Sequence, residues 1–240
     1  MAQVARSRSL AAAQADRSAR ASVAPALPAT TPAAVPGRPR GRPRKTHSER
    51  DQGNRRRLIV EGAARLFRAK GFAAASTRDI AAAAGMRGGS PFYHFESKSA
   101  LLYEVMREGM AQAAASQRAA LARLGASATP RECLQALIRN HFEVLLGPGN
   151  DFIPVMLYEW RSLNAAQRRQ IARTTDAYSA QWMPALEKLH AAGALRAKPH
   201  AARLLIFGAL NWSVQWYSKQ GPLSLDALAA EALALFVGDD

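Results

Sequence analysis

The chain has a single cysteine in 240 residues, Cys133. One thiol excludes an internal disulfide framework and any zinc cluster built on paired cysteines. Set among Leu134, Leu137 and Ile138, it reads as a buried, inert thiol. The first twenty residues lack an apolar core long enough for a secretory signal, although their Arg/Ser/Ala content mimics a transit peptide. The longest apolar run, Ala201–Leu210, is interrupted by Arg203 and is too short to cross a bilayer. The expectation is a soluble protein of a reducing compartment with no membrane partner. Aromatic residues make up only 7% of the chain, and no segment alternates in the manner of a strand. A Gly-rich phosphate loop after a strand and a nucleophile elbow are also missing. Enzymatic function is therefore disfavoured and no cofactor is called for. His141-Phe142-Glu143 and the scattered His190 and His200 offer possible acid–base groups.

What the chain does have is Ala, Leu and Arg, which lead the helix scale, and a net charge of +15 from 33 basic and 18 acidic residues. The charge is unevenly spread. Residues 1–57 hold 13 Lys/Arg and 3 acids, a balance of +10; residues 101–240 hold 14 and 12, a balance of +2. A basic N-terminal end on a near-neutral remainder points to polyanion binding at one end and a different task at the other. Residues 1–53 lack helical or strand periodicity and read as a disordered basic arm. Within it lies "PGRPRGRPRK", residues 36–45. Pro39-Arg40-Gly41-Arg42-Pro43-Arg44-Lys45 resembles an AT-hook. In such a hook the glycine lets the backbone lie deep in a narrow minor groove, and arginines such as Arg40 and Arg42 follow its floor. The same letters also suit a plain Arg/Pro linker.

From residue 54 the pattern turns helical. Leu58, Ile59, Gly62, Ala63, Leu66 and Phe67 make one apolar face, and Gly71 stops the helix. Ser76-Thr77-Arg78-Asp79 is a capping box opening a short helix that Gly85 ends. Ser97 caps a long helix closed by Gly125. Thr129-Pro130-Arg131-Glu132 starts another, and Asn164-Ala-Ala-Gln167 opens one that Pro184 should kink and Gly193 should end. Nine or ten helices are expected in an all-α fold.

Between two of these helices stands "AAAAGMRGGSPFYHFESKSALL", residues 81–102. A short helix, a turn containing Gly and a second short helix form a helix-turn-helix. Ser90 is placed to cap the second helix, with Pro91 as its first residue. Phe92 and Phe95 face the core. Tyr93 and His94 point outward, and Lys98 sits at the next helix's positive end, where phosphate is favoured.

Residues 54–102 resemble the DNA-binding domain of the TetR/AcrR family of bacterial transcriptional regulators. The resemblance is carried by Gly85, Phe92-Tyr93-His94-Phe95 and Ser97-Lys98. It implies a three-helix DNA-binding domain over 54–100 and a larger ligand-binding and dimerisation domain over 101–240. It also implies double-stranded operator DNA as partner, a bacterial cytoplasmic location, and contacts to phosphate or base edges from Thr77, Arg78, Ser90, Tyr93, His94 and Lys98. Arg87, in the turn, joins that set. The chain departs from the family at Gly88-Gly89 and at Pro91, where leucine is more usual, so base reading rests more on Arg87, Ser90 and Tyr93.

The C-terminal aromatic residues fall at helical spacing, which suits a core as well as a ligand box. The segments "YEWRSL" (158–163) and "GALNWSVQWYSKQGPLSLDALA" (208–229) resemble a branch of the family that includes repressors sensing acyl-CoA or fatty acids. That resemblance implies an apolar ligand such as acyl-CoA, its tail against Phe152, Met156, Trp160, Trp182 and Trp212 and its head group near Arg161. Helices over about 200–218 and 224–237 carry apolar stripes suited to a four-helix homodimer interface, and a twofold dimer matches a palindromic operator. The rival readings are a xenobiotic-sensing repressor of an efflux operon and an architectural AT-hook protein without a ligand.

Overall fold

The architecture follows from where helices can start and stop. In a computed structural model, residues 47–86 and 90–238 are described, with side chains from residue 53. Arg40 and Arg42 of the AT-hook-like segment, and Arg87 with Gly88-Gly89, lie outside the described residues. Everything described belongs to one compact unit, Lys45–Asp240. It contains nine α-helices and three 3₁₀ turns and no strand among the described residues, so the chain is all-α.

Helix α1 spans His47–Lys70 and begins earlier than the apolar pattern indicates. Residues 47–57 contain no large apolar side chain, so no periodicity marks their helix. Its buried face is Ile59, Val60, Ala63, Ala64 and Phe67. That face is rotated from the expected one, because Leu58 is 40% exposed. Gly71 ends the helix in a left-handed conformation, φ +81. Helix α2 is Thr77–Ala83, opened by the Ser76/Asp79 capping box, with Ile80 inward. The second helix of the motif is only a 3₁₀ turn, Pro91–Tyr93, capped by Ser90.

Helix α3, Lys98–Leu124, has Ser97 as its N-cap and Gly125 as its C-cap. At 27 residues it is about 40 Å long. It runs unbroken through residue 100, where a domain boundary was expected, and packs on α1 at one end and on α4–α6 further along. Helices α4 (Pro130–Leu146), α5 (Phe152–Glu159) and α6 (Ala165–Ala180) follow. The expected kink at Pro184 is a complete break. Helix α6 stops at Ala180, and α7 (Met183–Ala191) starts with Pro184 in its first turn, where the missing N–H leaves no partner unpaired. Helices α8 (Pro199–Trp212) and α9 (Leu225–Phe236) close the unit. Cys133 is half-buried rather than buried.

The head of the molecule depends on one close approach. A Cβ built on Gly62 in α1 would lie 2.7 Å from the carbonyl oxygen of Ala83 at the end of α2. Both partners are backbone and neither can step aside. Gly62→Ala would gain about 1 kcal/mol of helix propensity, but overpacking of a core contact costs roughly 1–3 kcal/mol. The expected net result is a lower urea midpoint with weakened operator binding, and an unchanged or raised midpoint would show that α1 and α2 can separate freely.

Candidate DNA-reading head and ligand core

The residues expected to read DNA stand on the N-terminus of α2 and on the 3₁₀ turn. Thr77 and Arg78, at the start of α2, are exposed, and Arg78 makes no side-chain hydrogen bond or ion pair among the described residues. Tyr93 is 86% exposed, while its neighbours Pro91 and Phe95 are buried. Ser90 Oγ accepts the Phe92 N–H at 3.2 Å and so fixes the turn that presents Tyr93. His94 is half-buried and serves as C-cap of the turn. A large aromatic with a phenol tip, held in solvent by a rigid turn, can hydrogen-bond to phosphate or base edges.

Lys98 is placed differently from the expected phosphate ligand. Its Nζ donates to the carbonyl oxygens of Phe72 at 2.7 Å, Ala73 at 3.3 Å and Ala75 at 2.9 Å. The ammonium also lies 4.6 Å from the centroid of the Phe72 ring. An ammonium has three donors, and all three are engaged by backbone. Lys98 therefore braces the α1–α2 turn.

Behind the turn, Glu104 of α3 is 7% exposed and paired twice. Arg107 Nε and Nη2 donate to its two oxygens at 2.8 and 2.7 Å, and Arg56 Nη1 of α1 donates at 2.7 Å. The Arg56 guanidinium also stands 4.7 Å over the Phe95 ring. The Arg107 hydrogen bonds, with Arg56 in support, hold the Glu104 carboxyl down at about 2.

The six residues expected to line one ligand site do not converge. Phe152 is buried against Gly109 of α3. Met156 and Trp160 are half-buried, and Arg161 is exposed on the 3₁₀ turn after α5. Trp182 is fully buried in the core of the C-terminal helices. Trp212 is 65% exposed, so it lines no interior site; it continues an outward stripe with Leu204 and Leu205. Helix α8 buries only Ala202, Ile206 and Leu210 within the chain, and its other apolar face is uncovered. A groove of about 380 Å³ between α8 and α9, lined by Leu210, Trp216, Leu228 and Leu235 among others, extends that face.

The structure reveals a polar core that was not anticipated. Trp182 Nε1 donates to Gln117 Oε1 at 2.8 Å, and Gln117 Nε2 donates to the Tyr178 carbonyl at 3.0 Å. His141 Nε2 lies 3.0 Å from Asn211 Oδ1, and its Nδ1 lies 3.2 Å from the Tyr178 hydroxyl. The amide oxygen accepts only, so Nε2 carries the proton and Nδ1 accepts from the phenol. Phe207 and Trp182 pack edge-on against the imidazole. Burial pushes His141 down to about 4 and Tyr178 up, so the network is uncharged at neutral pH. Asn140 Oδ1 accepts from Ser116 Oγ, and Asn140 Nδ2 is buried with no hydrogen bond. Ser116 also lines a partly open cavity of about 120 Å³ whose wall is half polar, with Gln112, Glu143 and Asn150 beside Val144, Phe152 and Ile153. A sequence signal did exist: Gln117 falls on the apolar face of α3 with Met106, Met110 and Ala113, and Asn140-His141 interrupts the apolar run of α4. His141 and Glu143 form no acid–base pair, since Glu143 is bound by Arg139 at 2.8 Å.

An all-α chain with a helix-turn-helix head, joined by one long helix to a helical body, has the organisation of a DNA-binding transcriptional regulator. Residues 59–105 match the model for bacterial regulatory proteins of the tetR family, and residues 127–238 match that for the tetracyclin repressor-like C-terminal domain. The HTH-type transcriptional repressor KstR2 of Mycobacterium tuberculosis is 28% identical over 192 residues, covering 77% of this chain and 92% of that one. Among solved structures, AibR in complex with isovaleryl coenzyme A and operator DNA superposes with a TM-score of 0.68 at 25% identity, covering 76% of this chain and 97% of AibR. The superantigen PfiT superposes with a TM-score of 0.65 at 37% identity, covering 78% and 97%. The chain belongs to the TetR family of bacterial transcriptional regulators, proteins that control transcription rather than catalyse reactions. No helix among the described residues is long and apolar enough to cross a membrane.

Two predictions come from this geometry. Tyr93→Ala should abolish specific DNA binding in a gel shift while leaving the melting temperature within about 2 °C, because an exposed side chain contributes little to stability. Loss of DNA binding in step with unfolding would make Tyr93 a core residue instead. The second concerns acid. His141 has a folded pKa of about 4 against an ordinary 6.5, so on acidification the unfolded chain takes up this proton first. Its share of stability is full above pH 6.5 and falls as pH drops toward 4, by at most about 1.4 kcal/mol per pH unit. Glu104, depressed from 4.5 to about 2, acts in a lower window: its share is present above pH 4.5 and is lost as pH falls toward 2. Urea titrations at pH 7 and 5 should show His141→Gln reducing the loss between those values, and equal losses in both proteins would refute a neutral His141.

Proposed function

We propose that the protein is a repressor that holds a palindromic operator as a twofold dimer and releases it when a small acyl-CoA or related apolar acyl ligand enters the C-terminal domain. The observation that carries this reading is the course of α3. One end bears Lys98 and the joint to the reading head, and about 28 Å along Gln117 enters the buried polar core. A change in that core has a rigid route to the head.

The ligand class is supported from two sides. AibR, similar over most of its length, is bound to isovaleryl coenzyme A and operator DNA in its crystal structure. In this chain the helical interior is aromatic, and the side-chain amide of buried Asn140 has the Tyr178 hydroxyl as its neighbour, with no second partner at hydrogen-bond distance for its Nδ2. A thioester carbonyl would supply a further acceptor there. The neighbouring partly open, half-polar cavity of about 120 Å³ has room only for a small group, which favours the short end of the acyl range. Dimerisation is supported by the uncovered apolar face of α8 and α9. Two such faces would bury Leu204, Leu205, Trp212 and Leu235, which are 56%, 64%, 65% and 77% exposed in the single chain. The basic arm, with Arg40 and Arg42, would add salt-dependent affinity beside the operator.

A ligand releases DNA only through its differential affinity for the DNA-fitting and non-fitting states. A hundredfold loss of operator affinity requires about 2.7 kcal/mol of such preference, an ordinary coupling. Footprinting should show a spaced palindrome; diffuse A·T protection would favour the architectural reading. Calorimetric titration with acyl-CoAs of graded length should give the tightest binding at about five or six carbons, with loss of the operator shift. Absence of any binding below about 100 μM, or tight binding without effect on the shift, would reject this ligand and switch.

A further inference from the structure

The backbone turn between α1 and α2, residues 71–76, is held by side chains from two other elements. From the first residue of α3, Lys98 donates to the carbonyls of Phe72, Ala73 and Ala75. From the last residue of α5, Glu159 Oε1 accepts the Phe72 N–H at 2.7 Å, and its Oε2 accepts from Ser162 Oγ at 3.0 Å. Phe72 thus has its N–H held by one helix and its C=O by another. The start of α5 is tied to the same end of α1, because Arg68 Nη1 donates to the Asn150 carbonyl at 3.2 Å and to Asp151 Oδ1 at 2.9 Å. Helix α5 is therefore pinned to the DNA-binding helices at both ends, and its first residue, Phe152, packs on Gly109 of α3 and lines the cavity described above.

Helix α6 makes a second connection. Its capping residue Gln167 accepts from Ser99 Oγ at 3.2 Å and donates to the Ser99 carbonyl at 3.4 Å. Eleven residues further on, about 16 Å along the helix, Tyr178 meets His141 in the polar core. The two clamps on the turn differ in what they move with. Lys98 begins the helix that continues the head, so it moves with the head. Glu159 ends a helix of the body, so it moves with whatever displaces α5.

We infer that the α1–α2 turn is the joint through which the C-terminal helices set the pose of the reading head, and that Glu159 is the positioning residue that latches it. The hydrogen bond to the Phe72 N–H restricts the head to one orientation relative to α5. A displacement of α5 either carries the turn with it or breaks that bond, and in both cases the disposition of Tyr93 and Arg78 changes. This is a physical two-state contact that both ends of the molecule can bias, and it holds whichever ligand occupies the body.

The test uses the full chain and an operator duplex selected from a random pool by the native protein. Glu159→Ala removes the acceptor, and Glu159→Gln keeps an amide oxygen in its place. In Glu159→Ala, amide exchange of the peptide containing Phe72 should rise at least tenfold, with exchange in the rest of α1 and α3 unchanged and the melting temperature within about 2 °C. Operator affinity without ligand should change at least fivefold, and Glu159→Gln should restore both values. The inference is overturned if exchange at Phe72 is unaltered, if exchange accelerates throughout the chain in proportion to a fall in melting temperature, or if operator affinity stays the same. Adding isovaleryl-CoA separates this result from the ligand assignment. If that probe leaves native operator affinity unchanged, the acyl-CoA reading loses its support, while the exchange and ligand-free affinity data still decide the role of Glu159.

Discussion

The Glu104 carboxylate, buried and ionised between Arg107 and Arg56, is the contact on which the arrangement of head and body depends. A lone carboxylate in that position would carry a large desolvation penalty and would take up a proton. Two guanidinium partners with three close hydrogen bonds remove that penalty. Arg107 is on the same helix and only fixes the side chain. Arg56 is on α1, so its bond ties the first helix of the head to the connecting helix, and its stacking on Phe95 extends the tie to the turn that presents Tyr93. Such a pair adds little net stability over an apolar replacement. Its contribution is geometric: the bidentate Arg107 contact fixes the carboxylate, and the single Arg56 bond, with the guanidinium over Phe95, ties α1 to that fixed point. The head needs that restriction, because a 3₁₀ turn of three residues has too little surface of its own to define an orientation.

How much of this was legible in the sequence follows from the range of each interaction. The capping boxes at Ser76/Asp79, Thr129/Glu132 and Asn164/Gln167 are bonds between residues three apart, and all three appear as the spacing required. Gly71, Gly85, Gly125 and Gly193 take positive φ at the ends of helices where local pattern had placed stops. The all-α fold, the helix-turn-helix and the long α3 were readable because they are sums of such local terms. What was not readable lies far apart in the chain. Lys98 lies 23–26 residues from its carbonyls, and His141 lies 37 and 70 residues from Tyr178 and Asn211. A lysine at a helix N-terminus looks the same in sequence whether it faces phosphate or backbone.

The same contrast explains why the expected ligand residues failed to form one site. Aromatic side chains at helical spacing report only that a face is apolar; they do not say which face of the neighbouring helix receives it. Trp182 and Trp212 read alike in sequence. The first follows the break after α6 and is drawn into the core by its bond to Gln117. The second ends α8 on the face opposite Ile206 and Leu210, which is open in the single chain. One belongs to the interior and the other to the surface that a second copy would cover. The polar residues proved more informative. A Gln on the apolar stripe of α3 and an Asn-His pair in the apolar run of α4 violate the local pattern, and such violations tend to mark function rather than packing.

The polar core also has the properties a sensor needs. A fully apolar interior would accept any apolar guest of suitable size, with only about 1–3 kcal/mol separating ligands that differ by a methylene. A site whose buried groups must be hydrogen-bonded discriminates more strongly, because a guest lacking the matching oxygen leaves those groups unpaired. His141, held neutral by burial, lets the core remain buried without a counter-charge, and the amide of Asn140, next to the Tyr178 hydroxyl, stands beside it in the chain. The core contacts α3 through Gln117 and α6 through Tyr178, and α5 borders the adjoining cavity through Phe152. Each of those three helices ends at the head, at Lys98, Gln167 and Glu159 respectively. Under the proposed ligand reading, a guest that satisfied the core would act on at least one of the three, and selectivity for the ligand and movement of the head would then arise from the same few contacts.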